Sequence, residues 1–447
     1  MIPMASSLDS ILIAAEDPDF TSQIDWLKQA MKVAASFSFA DSEQENGAVL
    51  RILQRVADFG ISAVQEFTKK FDGVDLTEPE MRITAAELRS AHRAIDKPLL
   101  RSIRKAIENV RRYQSEIFVG NCSALRRHPG LKITPIRRVG ICVPGASAPL
   151  PSTVIMTVVP AQVAGVSEIV VVSPPRYQPV RGKKTIHPVI LAVCQELKIE
   201  EVYRIGGAHA VAAMASKNGP MEKVDKIVGP GNRWVQTAKK LVLGTVGIDS
   251  IAGPSEVLIL ANKRANPAWV AADMLSQAEH APGSAIVATD SPLLAKQILA
   301  ALKEQVERLS RSRETMECLI QYSKIVVFKS IEAAIDFAND FASEHLEIQC
   351  GNESRQVLKK IRNAGAIFVG PFTPVAVGDY IAGPSHTLPT GTSAKFFSAL
   401  SSNDFVKFSS VMEYSRKDLL ADADDILRLA ETEGLDAHAR SVSIRMK

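Results

Sequence analysis

The stretch Val139-Gly-Ile-Cys-Val-Pro-Gly-Ala-Ser-Ala-Pro149 decides the fold. Its first half, 139–143, is a short apolar, β-branched run of the kind that fills a buried strand. Its second half is a Pro- and Gly-containing loop that opens onto an apolar helix centred near 158. The same grammar repeats outward from it. Residues 168–172, 201–205, 226–228 and 257–260 read as strands, with helices centred near 192, 213 and 238 between them. A second series follows at 285–288, 325–328, 346–349 and 366–369, again with helices between. Alternation of this kind predicts an α/β protein with mostly parallel sheets covered by helices. The two series suggest two α/β units of related build, although no strong internal sequence repeat accompanies them.

The flanks read differently. Residues 1–40 look like a helical lead-in without a clear core pattern. Helical periodicity dominates 44–118, including a long charged amphipathic helix after Pro98. After about 400 the chain returns to helix, with 418–431 strongly amphipathic, and 441–445 reads as a short β-like tail. The expected plan is an N-terminal helical extension at 1–40, a discontinuous first α/β domain at 41–140 and 256–400, a second α/β domain at 141–255, and a C-terminal helical tail at 401–447.

At 447 residues the chain exceeds the size at which one core keeps growing, in keeping with several domains. Hydrophobic content of 46% and charged content of 23% are those of a soluble globular protein. The net charge of +4 is spread along the chain, apart from short clusters such as Arg126-Arg127 and Arg181-Gly-Lys-Lys184. That excludes the concentrated basic face of a nucleic-acid binder. Five scattered cysteines without a CxxC pair point to reduced thiols in a cytoplasmic compartment. The apolar run 11–15 is too short for a signal-peptide core, and 152–166 is interrupted by Pro160 and Gln162, so no membrane association is expected.

The chemistry is sought among the eight histidines. Gln277 and His280 lie one helical turn apart and can point the same way. Glu344 and His345 are adjacent, Asp379 and His386 are seven apart, and Glu433 and His438 stand near the end. Imidazoles with a carboxylate and an amide suit a divalent metal such as zinc, with a catalytic pair beside it. Glu344 and His345 could both accept protons near neutral pH, but neighbours converge only where the backbone is irregular. Here a helix over 331–341 gives way to a strand; a histidine at a helix C-terminus would explain the pair equally well. Glycine loops at 143–149, 205–209 and 229–232 sit at strand–helix junctions where backbone N–H groups can meet phosphate. None is a GxGxxG fingerprint, and tight-turn glycine alone would explain any of them. Ser255, in Ala252-Gly-Pro-Ser-Glu256, could hydrogen-bond a substrate or cap a turn, and Gly383-Pro-Ser-His386 echoes that string.

Taken together, the strings Pro-Gly-Ala-Ser-Ala-Pro-Leu (144–150), Val-Gly-Pro-Gly-Asn (228–232), Ala-Gly-Pro-Ser-Glu-Val (252–257), Leu-Ser-Gln-Ala-Glu-His (275–280), Glu-His-Leu (344–346), Gly-Asp-Tyr (378–380) and Gly-Leu-Asp-Ala-His (434–438) resemble the L-histidinol dehydrogenase family from about residue 45 onward. The resemblance implies two Rossmann-like units of an incomplete type in a homodimer with shared active sites. It also implies NAD-linked oxidation of L-histidinol through the aldehyde to L-histidine, with one zinc ion per subunit. Carried over by position, the zinc ligands are Gln277, His280, Asp379 and His438, and the proton acceptors are Glu344 and His345. Ser255, His386 and Glu433 hold the substrate, together with Gln277, His280, His345, Asp379 and His438. Glu433 and His438 are expected to reach the partner subunit's site.

On the cofactor side the resemblance implies contacts at Cys142, His209 and Asn232. Two of these depart from the family pattern, since Cys142 replaces a tyrosine and His209 a glutamine. Two rivals follow: a related zinc- and NAD-dependent alcohol dehydrogenase acting on another substrate, and a ligand-binding homologue without turnover. The first predicts loss of residues such as Glu433 or His386, and both are present. The second rests only on the two changed cofactor positions.

Overall fold

A computed structural model of the chain describes residues 7–31, 39–145, 149–179, 182–279 and 283–447. In chain order the strands are β1 (Leu12–Ala14), β2 (Leu131–Pro135), β3 (Arg138–Cys142), β4 (Glu168–Val172), β5 (Glu201–Tyr203), β6 (Lys226–Val228) and β7 (Gly247–Ile248). Then come β8 (Ser255–Ala261), β9 (Gly283–Thr289), β10 (Lys324–Val327), β11 (His345–Gln349), β12 (Ala366–Val369) and β13 (Val406–Ser410).

Two wholly parallel sheets result, one of five strands in the order β5-β4-β3-β6-β7 and one of six in the order β1-β10-β9-β8-β11-β12. The α/β class expected from the alternating pattern is therefore found. In each sheet the chain builds outward one way and then returns to build the other way. The reversals fall between β3 and β6 and between β8 and β11.

Burial on both faces explains why the strands read as continuous apolar runs. On one face of the six-stranded sheet, Val257, Ile259 and Ala261 pack with Val270, Met274 and Leu275 of helix Pro267–Ala278. On the other, Leu258 and Leu260 pack with Ala334, Ala338 and Phe341 of helix Ile331–Phe341. The five-stranded sheet packs Val170, Val172 and Ile227 against helices Gly207–Ala215 and Phe39–Asp72, the latter kinked at Gly60.

Three expectations are corrected. Residues 12–14, placed in a helical extension, form edge strand β1 beside β10, because Ile11 and Ile13 are apolar enough to bury in the sheet's core. Helix Phe39–Asp72, grouped with 256–400, instead packs on the five-stranded sheet through Val49, Val56, Val64 and Phe67. The supposed β-like tail at 441–445 continues helix Asp436–Ser443, whose i→i−4 hydrogen bonding extends to Ile444.

Two compact units divide the chain: Met1–Phe118 with Pro135–Phe405, and Val119–Thr134 with Val406–Lys447. The larger holds both parallel sheets. In the smaller, β13 runs beside β2, and helix Arg416–Thr432, capped by Ser415, packs against helix Asp436–Ser443. Within the larger unit only residues 249–254 connect the carboxyl end of β7 to the amino end of β8, a span of at most about 25 Å. The carboxyl edge of one sheet is thereby tethered close to the amino edge of the other.

Candidate active site

Helix Ile331–Phe341 ends at Ala342, which takes a left-handed conformation (φ 51°, ψ 58°) before the chain enters β11. This irregular junction lets adjacent side chains converge: His345 Nδ1 lies 3.5 Å from Glu344 Oε2. Both are buried. His345 Nδ1 is 3.0 Å from the backbone carbonyl of Glu256. A carbonyl only accepts, so the Nδ1 proton is donated there and Nε2 is left as the basic nitrogen. That Nε2 is buried without a hydrogen-bond partner among the described residues. Glu344 Oε2 accepts from the Ser255 hydroxyl at 2.5 Å and from the Glu256 N–H at 2.9 Å. Burial holds the Glu344 carboxyl above the usual range, against the lowering influence of His345 and Ser255.

A cavity of about 330 Å³ opens in front of His345, with Tyr113, Phe368, Asp379, His386 and Leu388 in its wall. Helix Val375–Tyr380 carries Asp379, whose Oδ1 lies 4.0 Å from His345 Nε2 and 3.9 Å from His386 Nδ1. His345, Asp379 and His386 are thus brought together, and Glu344 and Ser255 stand behind His345. Gln277, near the end of helix Pro267–Ala278, is buried, and its side-chain nitrogen has no hydrogen-bond partner among the described residues. His280 falls outside the described residues. Glu433 closes helix Arg416–Thr432 and His438 lies on helix Asp436–Ser443, both exposed and both in the smaller unit.

The expected cofactor positions surround the carboxyl edge of the five-stranded sheet, where the reversal between β3 and β6 opens the crevice that doubly wound sheets use for ligands. Gly229 has φ 107°, and a Cβ there would come within 2.4 Å of the Cys142 carbonyl, so only glycine allows this loop to cross β3. Buried Lys239 pairs with Asp249 and donates to the Gly229 carbonyl at 3.0 Å, while the Gly229 N–H donates to Asp249 at 2.7 Å. Asn232 caps helix Arg233–Val242, accepting from the Val235 N–H at 3.2 Å. Ser173, wholly buried just past β4, has a hydroxyl without a hydrogen-bond partner among the described residues.

The two changed positions are enclosed. His209, only 1% exposed, faces helix Phe39–Asp72: its Nε2 is 3.3 Å from Thr68 Oγ1 and 3.9 Å from Asp72. The rings of Phe67 and Phe71 flank it. Burial pulls the imidazole down to about 3 and pushes the Cys142 thiol up to about 12. Neither is a reactive group in this state, which leaves no basis for a thiol–imidazole pair.

Sequence reasoning missed several polar groups at the site. Glu256 is fully buried; its Oε1 accepts from the N–H groups of Glu344 and Gly391 at 3.2 and 3.1 Å. Burial and the neighbouring Glu344 carboxylate push it up to about 8. Glu347, also wholly buried, accepts from the Val375 N–H at 3.0 Å at the start of the helix bearing Asp379. Burial raises its carboxyl well above the usual range, and its neighbour Asp273 adds to the effect. For Glu256 the available signal was a carboxylate leading into the apolar run 257–261, whereas Glu347 lies in a strand that also carries His345 and Gln349 and gives no such signal.

Among the described residues no three His, Cys, Asp or Glu side chains are gathered closely enough to hold a metal by themselves. The nitrogen and oxygen donors proposed for zinc nevertheless suit it: imidazole nitrogen, the Asp379 carboxylate and the oxygen of the buried Gln277 amide. The glycine loop at Gly229 suits a phosphate-bearing cofactor through its backbone N–H groups.

Comparison with known proteins identifies the family. Residues 37–446 match the family model for histidinol dehydrogenase. Histidinol dehydrogenase of Rhodopirellula baltica is 46% identical over 398 residues, covering 88% of this chain and 85% of that protein. The Heliobacterium mobile enzyme is 44% identical, covering 89% of this chain and 93% of its own. The crystal structure of histidinol dehydrogenase from Elizabethkingia anophelis superposes with a TM-score of 0.85 at 33% identity, covering 97% of each chain. On matches of this extent, the chain belongs to the histidinol dehydrogenase family.

Proposed function

We propose that this chain is an NAD-dependent oxidoreductase that converts L-histidinol through its aldehyde to L-histidine, the last steps of histidine biosynthesis, with one zinc ion per subunit. One observation carries the reading: His345 is fixed through Nδ1, and its free Nε2 faces a cavity shared with Asp379 and His386. Gln277, His280, Asp379 and His438 would hold the zinc. Ser255, His386 and Glu433 would complete substrate recognition. When bound, zinc fixes the substrate's imidazole and amine, and NAD takes up hydride.

The chain's own residues do the rest. His345 Nε2 accepts the hydroxyl proton as the alcohol carbon is oxidised, while the bond from Nδ1 to the Glu256 carbonyl keeps the ring aimed. Glu344 takes a proton from the water that hydrates the aldehyde. Burial makes its carboxylate a stronger base than an exposed one, and the Ser255 and Glu256 donors hold it in place.

In this reading the protein works as a homodimer with shared sites, Glu433 and His438 serving the partner subunit from the C-terminal tail. Asn232 and the loop backbone would meet the cofactor more than the enclosed Cys142 and His209 do. No helix among the described residues is long and apolar enough to cross a membrane, and all five cysteines are free, which supports a cytoplasmic enzyme.

The test is NADH formation by zinc-loaded protein given L-histidinol and NAD, with L-histidine quantified alongside. Two NADH per histidine is the expected result. NADH from other alcohols only would favour a dehydrogenase of different specificity. Zinc and histidinol binding without NADH would favour a non-catalytic homologue.

A further inference from the structure

Pro160 lies inside the buried helix Pro151–Ala164. Proline has no N–H, so the carbonyl four residues earlier, that of Met156, loses its helical donor. Met156 is only 1% exposed, so water does not replace that donor. The structure fills the gap from 229 residues away: the Ser385 hydroxyl donates to the Met156 carbonyl at 3.0 Å. Ser385 is itself buried, and its oxygen accepts from the Thr387 N–H at 3.1 Å. Both capacities of one hydroxyl are therefore used on either side of His386.

The same segment is gripped from a second helix. Asn109, on helix Lys97–Ile117, donates to the Ile381 carbonyl at 2.8 Å. Gly383 adopts φ 117°, and a Cβ there would come within 2.8 Å of Tyr113 and 3.0 Å of the Asn109 carbonyl. Residues 381–387 are thus pinned to two helices that pack on each other, and helix Pro151–Ala164 also packs on β3 of the five-stranded sheet. Asp379, 3.9 Å from His386, is instead tied through Val375 and Glu347 to β11 of the six-stranded sheet. Helix Pro151–Ala164 begins where the glycine loop after β3 ends. One helix therefore borders the cofactor crevice at its start and holds His386 at its middle.

We infer that Ser385 is a positioning residue: docked on the carbonyl that Pro160 leaves open, it sets His386 in the substrate cavity and ties that cavity to the helix of the cofactor loop. The assignment of His386 to substrate rests on the proposed function; the hydroxyl–carbonyl lock does not.

Three variants separate the two. Ser385→Ala removes the donor. Pro160→Ala supplies a backbone N–H that competes for the Met156 carbonyl. Ser385→Ala/Pro160→Ala satisfies the carbonyl without the serine. For the lock, the expected thermal midpoint falls when Ser385→Ala is made in the wild-type chain and falls less when it is made in the Pro160→Ala variant. Equal losses in both backgrounds would overturn it, whether or not histidinol is a substrate.

For positioning, Ser385→Ala and the double variant should raise KM for L-histidinol by roughly three- to tenfold with kcat changed less. Ser385→Thr, which keeps the hydroxyl, should recover most of the loss. A double variant with both wild-type stability and wild-type KM would show that the serine only fills a hydrogen-bonding gap. Wild-type protein that turns over no histidinol would remove the functional reading while leaving the thermal cycle to decide the lock.

Discussion

The amino edge of the six-stranded sheet and the carboxyl edge of the five-stranded sheet are built from the same strand, loop and helix, but they place polar groups differently. At the amino edge ionisable side chains gather around a cavity, His345 with Asp379 and His386. At the carboxyl edge the charged side chains close on one another, Lys239 on Asp249, and the imidazole of His209 is packed away against helix Phe39–Asp72. What that edge presents is chiefly glycine loop and backbone. In the proposed function the first edge transfers protons and the second holds the cofactor, and residues 249–254 join the two.

The largest effect that would sharpen this contrast is expected at the amino edge. His345→Asn should lower kcat by roughly 10²–10⁴-fold, the usual worth of a general base, with little change in folding. Steady-state kinetics beside a thermal melt checks this; a kcat near wild type would break the contrast.

The next effect is in pH. Glu256 is raised to about 8 in the fold against about 4.3 in an unfolded chain, so its contribution to stability is complete below the lower value and is lost as pH rises through the higher. Wild-type stability should fall by about 1–3 kcal/mol between about pH 6 and about pH 9 from this group. Glu256→Gln should flatten that slope, as read by denaturant unfolding across the range.

At the other edge, His209→Ala should destabilise by roughly 1–3 kcal/mol, because it empties a packed site beside Phe67 and Phe71. KM for NAD should move less than about threefold, well under the tenfold that 1.4 kcal/mol of lost binding would give. A large rise in that KM without loss of stability would return His209 to the cofactor site. The smallest effect is chemical. Exposed Cys122 should be alkylated in the folded protein, while buried Cys142, its thiol pushed up to about 12, should stay unreacted by mass spectrometry.

The contrast was only partly legible in the amino-acid sequence. Strands buried on both faces, such as β4 and β9, announce themselves as apolar runs, whereas β1 is three residues in an acidic stretch and becomes a strand only because β10 is there to pair with it. The Glu344-His345 junction was readable as a break between helix and strand, and Ala342 supplies the left-handed residue that makes it. The direction His209 faces was not readable, since it depends on a helix more than a hundred residues earlier. Nor was the pairing of Ser385 with Met156, although Pro160 advertises an unpaired carbonyl to anyone counting helical donors.

The division of labour within the amino edge is tested most directly by supplying L-histidinol and L-histidinal separately to His345→Asn and Glu344→Gln variants of zinc-loaded protein. The expected result is a crossing: His345→Asn slows the alcohol step most, and Glu344→Gln slows the aldehyde step most. The wild-type aldehyde step should also weaken as pH drops through the raised Glu344 value, because a protonated carboxyl accepts nothing. Equal slowing of both steps by both variants, or of neither, would contradict the roles given to these two residues.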